Sequence, residues 1–266
     1  MRKVLLLVLM VVNLTAIVAC NDSEVTVVNN EMTATTYVTL SKRFINALRN
    51  NEDAQPIIDS LKNIEVDVLA SELTNDNRKK AFWINVYNGF IQVLLKENPD
   101  LYKDRSDFFH TKRMTIAGEL LSFDDIEHGI IRRSKIKLSL GLLSKWNVSD
   151  FEKKFRTEKT DARVHFALNC GAKSCPAVAA YDAEHLEEQM DKSTEIHLAA
   201  TSRYYETEDR VYVTSLFSWF RGDFGNKEKV RDFLKKYEIL HRNAGKPSIS
   251  YNTYDWTLYL DNFIDL

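Results

Sequence analysis

The chain has 266 residues, of which 44% are hydrophobic and 11% are aromatic, and its formal charge at pH 7 is -2. A chain of this length and composition buries a substantial core, which excludes a fibrous or intrinsically disordered protein. Because basic and acidic residues are nearly balanced and no basic stripe with interleaved aromatic residues occurs, the sequence predicts no nucleic-acid partner.

The first 20 residues have the pattern of a bacterial lipoprotein signal. Arg2 and Lys3 precede a mostly apolar run over residues 4–18, and small residues lead to Cys20. The run is shorter than the roughly 20 apolar residues of a membrane span, so we expect cleavage before Cys20 and lipidation of its thiol. The protein would then be exported and attached through this lipid to the cell envelope, at the outer membrane or on the periplasmic face. The alternatives are an ordinary cleaved signal peptide with a chance cysteine and an uncleaved anchor.

Three parts of the chain follow from this pattern. Residues 1–19 are the predicted signal peptide, and residues 20–35 are the lipidated cysteine with a polar, flexible tether. Residues 36–266 remain for one globular domain. Within it, the spacing of apolar residues predicts helices over 36–50 and 55–63.

A further predicted helix begins near Asn75 or Asn77 and ends at Asn98-Pro99. Asn85 and Asn88 lie on one face of this helix. A buried carboxamide without partners costs about 1 to 3 kcal/mol, so both side chains require hydrogen bonds. We favour bonds to loop backbone over direct contact with a substrate.

A hairpin is predicted over residues 113–122, with its turn at Ala117-Gly118. Ser122 to Asp125 resembles a capping box, which opens a helix that runs to about Arg133. Glu127, His128 and Arg132 lie on this helix. Neighbours on a helix point about 100 degrees apart, so Glu127 is poorly placed to orient His128, whereas Arg132 lies one turn away.

Residues 134–160 are predicted to be irregular to weakly helical, with leucines that bury part of this linker, and residues 163–169 are predicted to form a strand. In that strand Cys170 would share a face with Phe166 and Leu168. Cys170 and Cys175 are the only cysteines left after Cys20, and their closeness indicates a local site rather than a link between distant segments. Whether they form a disulfide is left open by the sequence.

Downstream of Pro176 the sequence predicts a helix over 182–201, a strand over 210–214 and a helix over 226–237. An aromatic cluster over 216–220 is interpreted as core. Residues 248–260 carry further aromatic side chains, some of which are expected to line a cleft.

Four segments of the chain resemble the DUF547 family, a domain family of unknown function. They are Phe82 to Asn88, Ile126 to Arg132, His165 to Cys170 with Ser174-Cys175-Pro176, and Tyr254-Asp255-Trp256. The similarity extends over about residues 75–260. It implies an α+β fold that resembles papain-like cysteine hydrolases, with helices packed on a small, mostly antiparallel sheet. It also implies a cysteine, histidine and glutamate site, and it supplies no substrate.

The predicted catalytic residues are Cys170, His128 and Glu127, and the second choice is Cys175 with His165. Cys170 would attack as a thiolate, His128 would take its proton and return it to the leaving group, and Glu127 or Asp124 would orient the pair. Backbone N–H groups of residues 171–174 would bind the oxyanion. Asn85, Asn88, Arg132 and Asn169 are the predicted polar residues that hold the site or the substrate. A buried, unreactive Cys170 is the main alternative.

Two classes of function therefore remain open. The first is a lipid-anchored cysteine hydrolase or acyl transferase that acts on an amide or peptide-like bond, and the second is a non-catalytic binding module on a hydrolase-like scaffold. The predicted partners are the bilayer, through Cys20, and a peptide-like or small-molecule substrate. No cofactor is predicted, and no metal site either, because His165, Cys170 and Cys175 lack zinc-ligand spacing and a fourth ligand.

Overall fold

The computed structural model describes residues 36–266, so Cys20, the predicted signal peptide and the tether lie outside the described residues. The α-helices are Tyr37–Arg49 (α1), Gln55–Lys62 (α2), Val66–Glu72 (α3), Asp76–Glu97 (α4), Arg105–His110 (α5), Asp150–Phe155 (α6), Leu186–Thr201 (α7), Leu216–Trp219 (α8), Arg221–Phe224 (α9) and Lys227–Lys236 (α10). A π-helix covers Asp125–Ile131, and short 3-10 helices cover Pro99–Lys103, Lys137–Ser139, Ala162–Phe166 and Glu206–Glu208.

The strands form two small sheets. They are Met114–Ile116 (β1), Glu119–Leu121 (β2), Arg203–Tyr205 (β3), Arg210–Val213 (β4) and Ser248–Tyr251 (β5). Strands β1 and β2 form the predicted hairpin, with Ala117 and Gly118 at positive φ in its turn. In the second sheet β4 pairs antiparallel with β3 and parallel with β5. The predicted α+β class is confirmed.

Helix α4 lies at the centre of the larger core. Its N-terminus is fixed by Asn75, whose side chain accepts a hydrogen bond from the Arg78 amide at 3.0 Å. The helix is buried on nearly every side, and α1 packs along it. Gly89 permits this close approach because a side chain there would collide with the ring of Phe44. A second core forms around Phe166, Phe217 and Phe224.

The predicted strand over residues 163–169 is wrong. Ala162–Phe166 is a 3-10 helix. Asp161 caps its N-terminus, because the Asp161 side chain accepts a hydrogen bond from the Arg163 amide at 3.0 Å. The Val164 amide donates to the Asp161 carbonyl at 3.1 Å. These local bonds satisfy the backbone without a partner strand, so Phe166 enters the second core and does not share a strand face with Cys170.

The prediction that leucines of the 134–160 linker are partly buried is also wrong. Leu138, Leu142 and Leu143 are exposed, and so is Trp146. The segment is held by its own backbone hydrogen bonds, and no neighbouring element covers these side chains among residues 36–266.

Candidate functional site

A cavity of about 500 Å³ lies where the π-helix, the Cys170 segment, helix α8 and the C-terminal segment meet. One part of its wall is polar and contains Glu127, His128 and Asp124. Another part is mostly aromatic, with contributions from Trp219, Phe220, Tyr254 and Trp256. Cys170 and His165 also line this cavity, so it brings together residues of both predicted site arrangements.

The π-helix presents Glu127 and His128 to the cavity. Its start is a reciprocal capping box: the Ser122 amide donates to Asp125 at 3.0 Å, and the Asp125 amide donates to the Ser122 hydroxyl at 3.1 Å. The Arg132 amide donates to the Glu127 carbonyl at 2.9 Å, which is the five-residue spacing of a π-helix. The predicted helix is therefore present in a wider form.

Arg132 links the π-helix to α9. Its Nη1 lies 2.6 Å from His128 Nδ1, and its Nε donates to Asp223 Oδ2 at 2.6 Å. The side chains of Arg132 and Asp223 are each about 1% exposed. Burial opposes the charge of Asp223, but hydrogen bonds from His165 and Arg132 hold the pKa of this carboxyl below its usual value.

The contact with Arg132 fixes the tautomer of His128. A guanidinium group is always protonated and only donates, so Nδ1 accepts and the ring proton lies on Nε2. Nε2 is 3.6 Å from Asp124 Oδ1. Burial lowers the pKa of His128, so the ring is neutral at pH 7. In this state His128 offers a hydrogen-bond donor to the cavity. It does not suit the predicted role of a base, because a base needs a free lone pair and that of Nδ1 is occupied by Arg132.

Glu127 is held from the other side. The hydroxyl of Tyr87 donates to Glu127 Oε2 at 3.2 Å, whereas Glu127 Oε1 is 3.7 Å from His128 Nδ1. Burial by itself would raise the pKa of Glu127, but interactions with His128 and with the Arg132 guanidinium hold it below its usual value. Glu127 is therefore an ionised acceptor beside the His128 donor.

His165 belongs to the same network. Its Nε2 is 2.8 Å from Asp223 Oδ2, so this nitrogen donates and Nδ1 keeps the lone pair. The imidazole is stacked on Phe220, with ring centroids 3.7 Å apart. Burial, the largest effect, lowers the pKa of His165 although Asp223 acts in the opposite direction. An oriented imidazole with a free lone pair is what a general base requires.

Cys170 and Cys175 form a disulfide. The sulfur of Cys175 also accepts the backbone amide of Cys170 at 3.0 Å and the hydroxyl of Tyr254 at 3.2 Å. No imidazole of residues 36–266 is hydrogen-bonded to either sulfur. In the disulfide state neither cysteine is a thiol nucleophile, because attack requires the thiolate.

The asparagines hold the Cys170 segment in place. Asn85 exchanges two hydrogen bonds with the backbone of Tyr181, at 2.8 and 2.9 Å. Asn88 donates to the Ala167 carbonyl at 2.9 Å and accepts the Asn169 amide at 2.8 Å. The side chain of Asn169 then donates to the Pro176 carbonyl at 2.6 Å. Asn85 and Asn88 thus bond loop backbone, as the preferred interpretation had it.

Several residues of the site were missed in the sequence. Asp223 carries no local signal, because its partners Arg132 and His165 are 91 and 58 residues away in the chain. Trp219 was assigned to the core as part of an aromatic cluster, but it stacks on Trp256 at 5.5 Å in the cavity wall. Arg105, which lies 4.7 Å over the Trp256 ring, was also missed.

Two further properties concern the described part of the chain. Between residues 36 and 266 no group of three metal-ligating side chains is positioned to hold an ion. None of the helices in this range has the length and apolar character needed to cross a bilayer.

Comparison with known proteins identifies the family. The sequence model described as "Protein of unknown function, DUF547" matches residues 70–198. This part of the chain is a DUF547 domain. The matched part of this DUF547 protein contains Asn88, the π-helix and both site cysteines, whereas Asp223 and the Tyr254 segment lie beyond it. No curated protein and no solved structure matches the chain, so the papain-like resemblance is not confirmed.

Proposed function

We propose that this DUF547 protein binds an amphipathic small molecule or peptide-like segment in its cavity, and that it acts as a binding module while Cys170 and Cys175 are joined. One observation carries the proposal: an ionised Glu127 acceptor and a His128 Nε2–H donor face the same cavity as an aromatic wall. A ligand that satisfies both walls has an apolar body and a polar end with a donor and an acceptor.

The aromatic wall supplies most of the contact area. Trp219, Tyr254 and Trp256 contact one another, with ring centroids 4.7 to 5.5 Å apart. Aromatic side chains that enclose an apolar ligand contribute through burial, and each fully buried side chain of this size is worth about 1.5 to 3 kcal/mol. The polar wall then sets orientation, since few polar groups are needed to fix a ligand in a mostly apolar pocket.

The test is a fluorescence titration with N-phenyl-1-naphthylamine, a neutral apolar probe that carries one N–H donor. We expect saturable enhancement in the unreduced protein and binding weakened about ten-fold or more by Trp256→Ala. Trp146→Ala is the matched control, because Trp146 is 96% exposed and does not line the cavity. Equal affinity in the two variants, or no saturable binding, would overturn the proposal.

A second candidate function is a cysteine-type hydrolase or acyl transferase in the reduced state. It is supported by Cys170 and His165 lining one cavity, with His165 oriented by Asp223. After reduction, the His165 Nδ1 lone pair would accept the Cys170 thiol proton, and the thiolate would attack the carbonyl of an ester or amide. The bond to the leaving alcohol or amine would break as the proton is returned to it, and water or another acceptor would then release the acyl group from the thioester. His165 suits this base role better than His128, whose Nδ1 is occupied by Arg132.

Labelling with iodoacetamide separates the two functions. The hydrolase function predicts that, after reduction, Cys170 reacts near neutral pH much faster than an ordinary thiol and that His165→Gln slows this reaction. The binding function predicts slow labelling of Cys170 in both the native protein and the His165→Gln variant. His241→Gln is the control, because this exposed histidine does not line the cavity.

Export and lipidation remain part of the proposal, and they are supported by the sequence pattern that ends at Cys20. Metabolic labelling with a radioactive fatty acid, followed by separation of membranes, tests them. We expect labelled, membrane-bound protein for the native chain and no label for Cys20→Ser.

A further inference from the structure

The segment of residues 133–146, called here the 133–146 loop, combines positive charge with exposed apolar side chains. It contains four basic residues and no acidic residue. The basic residues are Arg133, Lys135, Lys137 and Lys145. Lys137 pairs with Asp124 at 2.8 Å and Lys145 with Glu152 at 3.1 Å, whereas Arg133 and Lys135 have no acidic partner among residues 36–266.

Backbone hydrogen bonds give this loop its shape. The Ile136 amide donates to the Leu143 carbonyl at 2.9 Å, and the Lys145 amide donates to the Ser134 carbonyl at 2.7 Å. The Gly222 amide donates to the Leu140 carbonyl at 2.7 Å, which ties the tip to α9. The loop is therefore a built hairpin-like projection that does not depend on burying its leucines.

The large apolar side chains of the loop point to solvent. Leu138 is 92% exposed and Trp146 is 96% exposed, while Leu142 and Leu143 are 63% and 62% exposed. Single exposed apolar residues are ordinary on protein surfaces, but four within nine residues form a patch that indicates an interaction site. Because these side chains stay exposed to water, they contribute little burial free energy to the fold.

We propose that the 133–146 loop binds the surface of an anionic lipid bilayer. Such a surface supplies both features that the loop requires: negative headgroups for Arg133 and Lys135, and hydrocarbon for Leu138 and its neighbours. Tryptophan is favoured at the boundary between the two, where Trp146 would lie. A protein partner would have to offer a concave acidic and apolar surface to this projecting loop, and the bilayer needs no such shape.

The position of the loop gives this contact a consequence for the cavity. Lys137, Leu138 and Leu140 line the cavity as well as belonging to the loop. Contact with the bilayer would therefore place the cavity mouth at the lipid interface. The inference is independent of the lipid at Cys20, which would tether the chain without orienting the domain.

A local probe separates loop contact from any binding by the N-terminal segment. The full chain carries Cys20→Ser and Leu138→Cys, and an environment-sensitive nitrobenzoxadiazole fluorophore is attached at position 138 without reductant, so the disulfide stays closed. With vesicles of equal parts phosphatidylcholine and phosphatidylglycerol we expect a blue shift and an increase in intensity. The matched control places the probe by Ile196→Cys on α7, where no shift is expected.

Charge variants test the anionic requirement. Arg133→Gln and Lys135→Gln are each expected to weaken vesicle binding about five-fold, since a basic residue near an anionic surface contributes on this scale. Lys227→Gln and Lys229→Gln on α10 are the matched controls and should leave binding unchanged. Circular dichroism confirms that each variant is folded.

Three results would overturn the inference. The first is the absence of a probe response at position 138 with vesicles of the phosphatidylcholine and phosphatidylglycerol mixture and with vesicles of pure phosphatidylcholine. The second is an equal response with pure phosphatidylcholine, which would remove the role of charge. The third is a response that depends on protein concentration without vesicles, which would assign the loop to contact between two copies of the chain. The titration of the cavity with N-phenyl-1-naphthylamine is unaffected by any of these results.

Discussion

Arg132, the residue that caps the C-terminus of the π-helix, is four residues after His128, and Nη1 of the arginine is 2.6 Å from Nδ1 of the imidazole. Because the arginine can only donate, this contact directs the histidine's proton to the opposite nitrogen and toward the cavity. The same guanidinium holds Asp223, which in turn orients His165. One buried cation thus determines the hydrogen-bonding direction of both imidazoles in the site.

Removal of the Arg132 side chain is expected to lower the free energy of unfolding. Arg132→Leu leaves the buried Asp223 carboxylate without its guanidinium partner, and breaking such a pair destabilises a protein by about 3 to 5 kcal/mol. Denaturant unfolding measures the loss. Arg133→Leu, the exposed neighbour, is expected to change the free energy of unfolding by less than about 0.5 kcal/mol. Similar effects for the two variants would contradict the assigned role of Arg132.

Stability is expected to decrease in mild acid because of buried histidines. Burial lowers the pKa of His197 to about 4, whereas an unfolded histidine titrates near about 6.5. Between these values the unfolded chain binds more protons, so stability is complete above about pH 6.5 and falls as the pH is lowered toward 4. The full contribution is about 3 kcal/mol.

His197→Leu should flatten the pH dependence of the free energy of unfolding in this window. His128 and His165, whose pKa values are also lowered by burial, would account for the dependence that remains. His241→Leu is the control, because His241 is exposed. Thermal unfolding recorded across the pH range decides the matter, and an unchanged slope in His197→Leu would refute the assignment.

The disulfide is expected to stabilise the fold modestly. It closes a short loop, with the two cysteines five residues apart, so loop-closure entropy gives about 2 kcal/mol. A reductant should lower the free energy of unfolding of the native protein by about this amount. The double variant Cys170→Ser with Cys175→Ser should lose a comparable amount and show no response to the reductant. A response in the double variant would point to another thiol.

The hydroxyl of Tyr87 is expected to matter because of its partner. Tyr87→Phe removes the donor to Glu127, and a hydrogen bond to a charged group is worth about 1.5 to 3 kcal/mol. Tyr102→Phe is a matched control, since the buried Tyr102 hydroxyl has no hydrogen-bond partner among residues 36–266. Its replacement should be neutral or slightly stabilising. Urea unfolding compares the two variants, and an equal loss would argue against the bond to Glu127.

Asn88 is expected to be a strong determinant of the Cys170 segment. Asn88→Ala leaves the Ala167 carbonyl and the Asn169 amide buried without partners, at about 1 to 3 kcal/mol for each group. Hydrogen exchange at Asn169 should become faster, which locates the effect at this segment. Asn63→Ala, where an exposed side chain bonds only its own helix, is the control and should change little.

Local patterns predicted the elements that local interactions form. The sequence predicted the Asn75 cap, the Ala117-Gly118 turn and the Ser122–Asp125 capping box. Each of these features depends on backbone conformation and hydrogen bonds within a few neighbouring residues. The 162–166 segment was misread because a short apolar run fits either a buried strand or a buried helix. This segment forms a helix because of the Asp161 cap and because Phe166 packs into the second, aromatic core.

The sequence by itself determined the α+β class, the family and the approximate bounds of helices α1, α2 and α4. Only the tertiary structure decided which imidazole keeps a free lone pair, because that depends on Arg132 and Asp223, which are 91 residues apart. The same is true of the 133–146 loop, whose leucines look like core residues in the sequence. Hydrophobic pattern records what a side chain prefers, whereas burial depends on whether another part of the chain arrives to cover it.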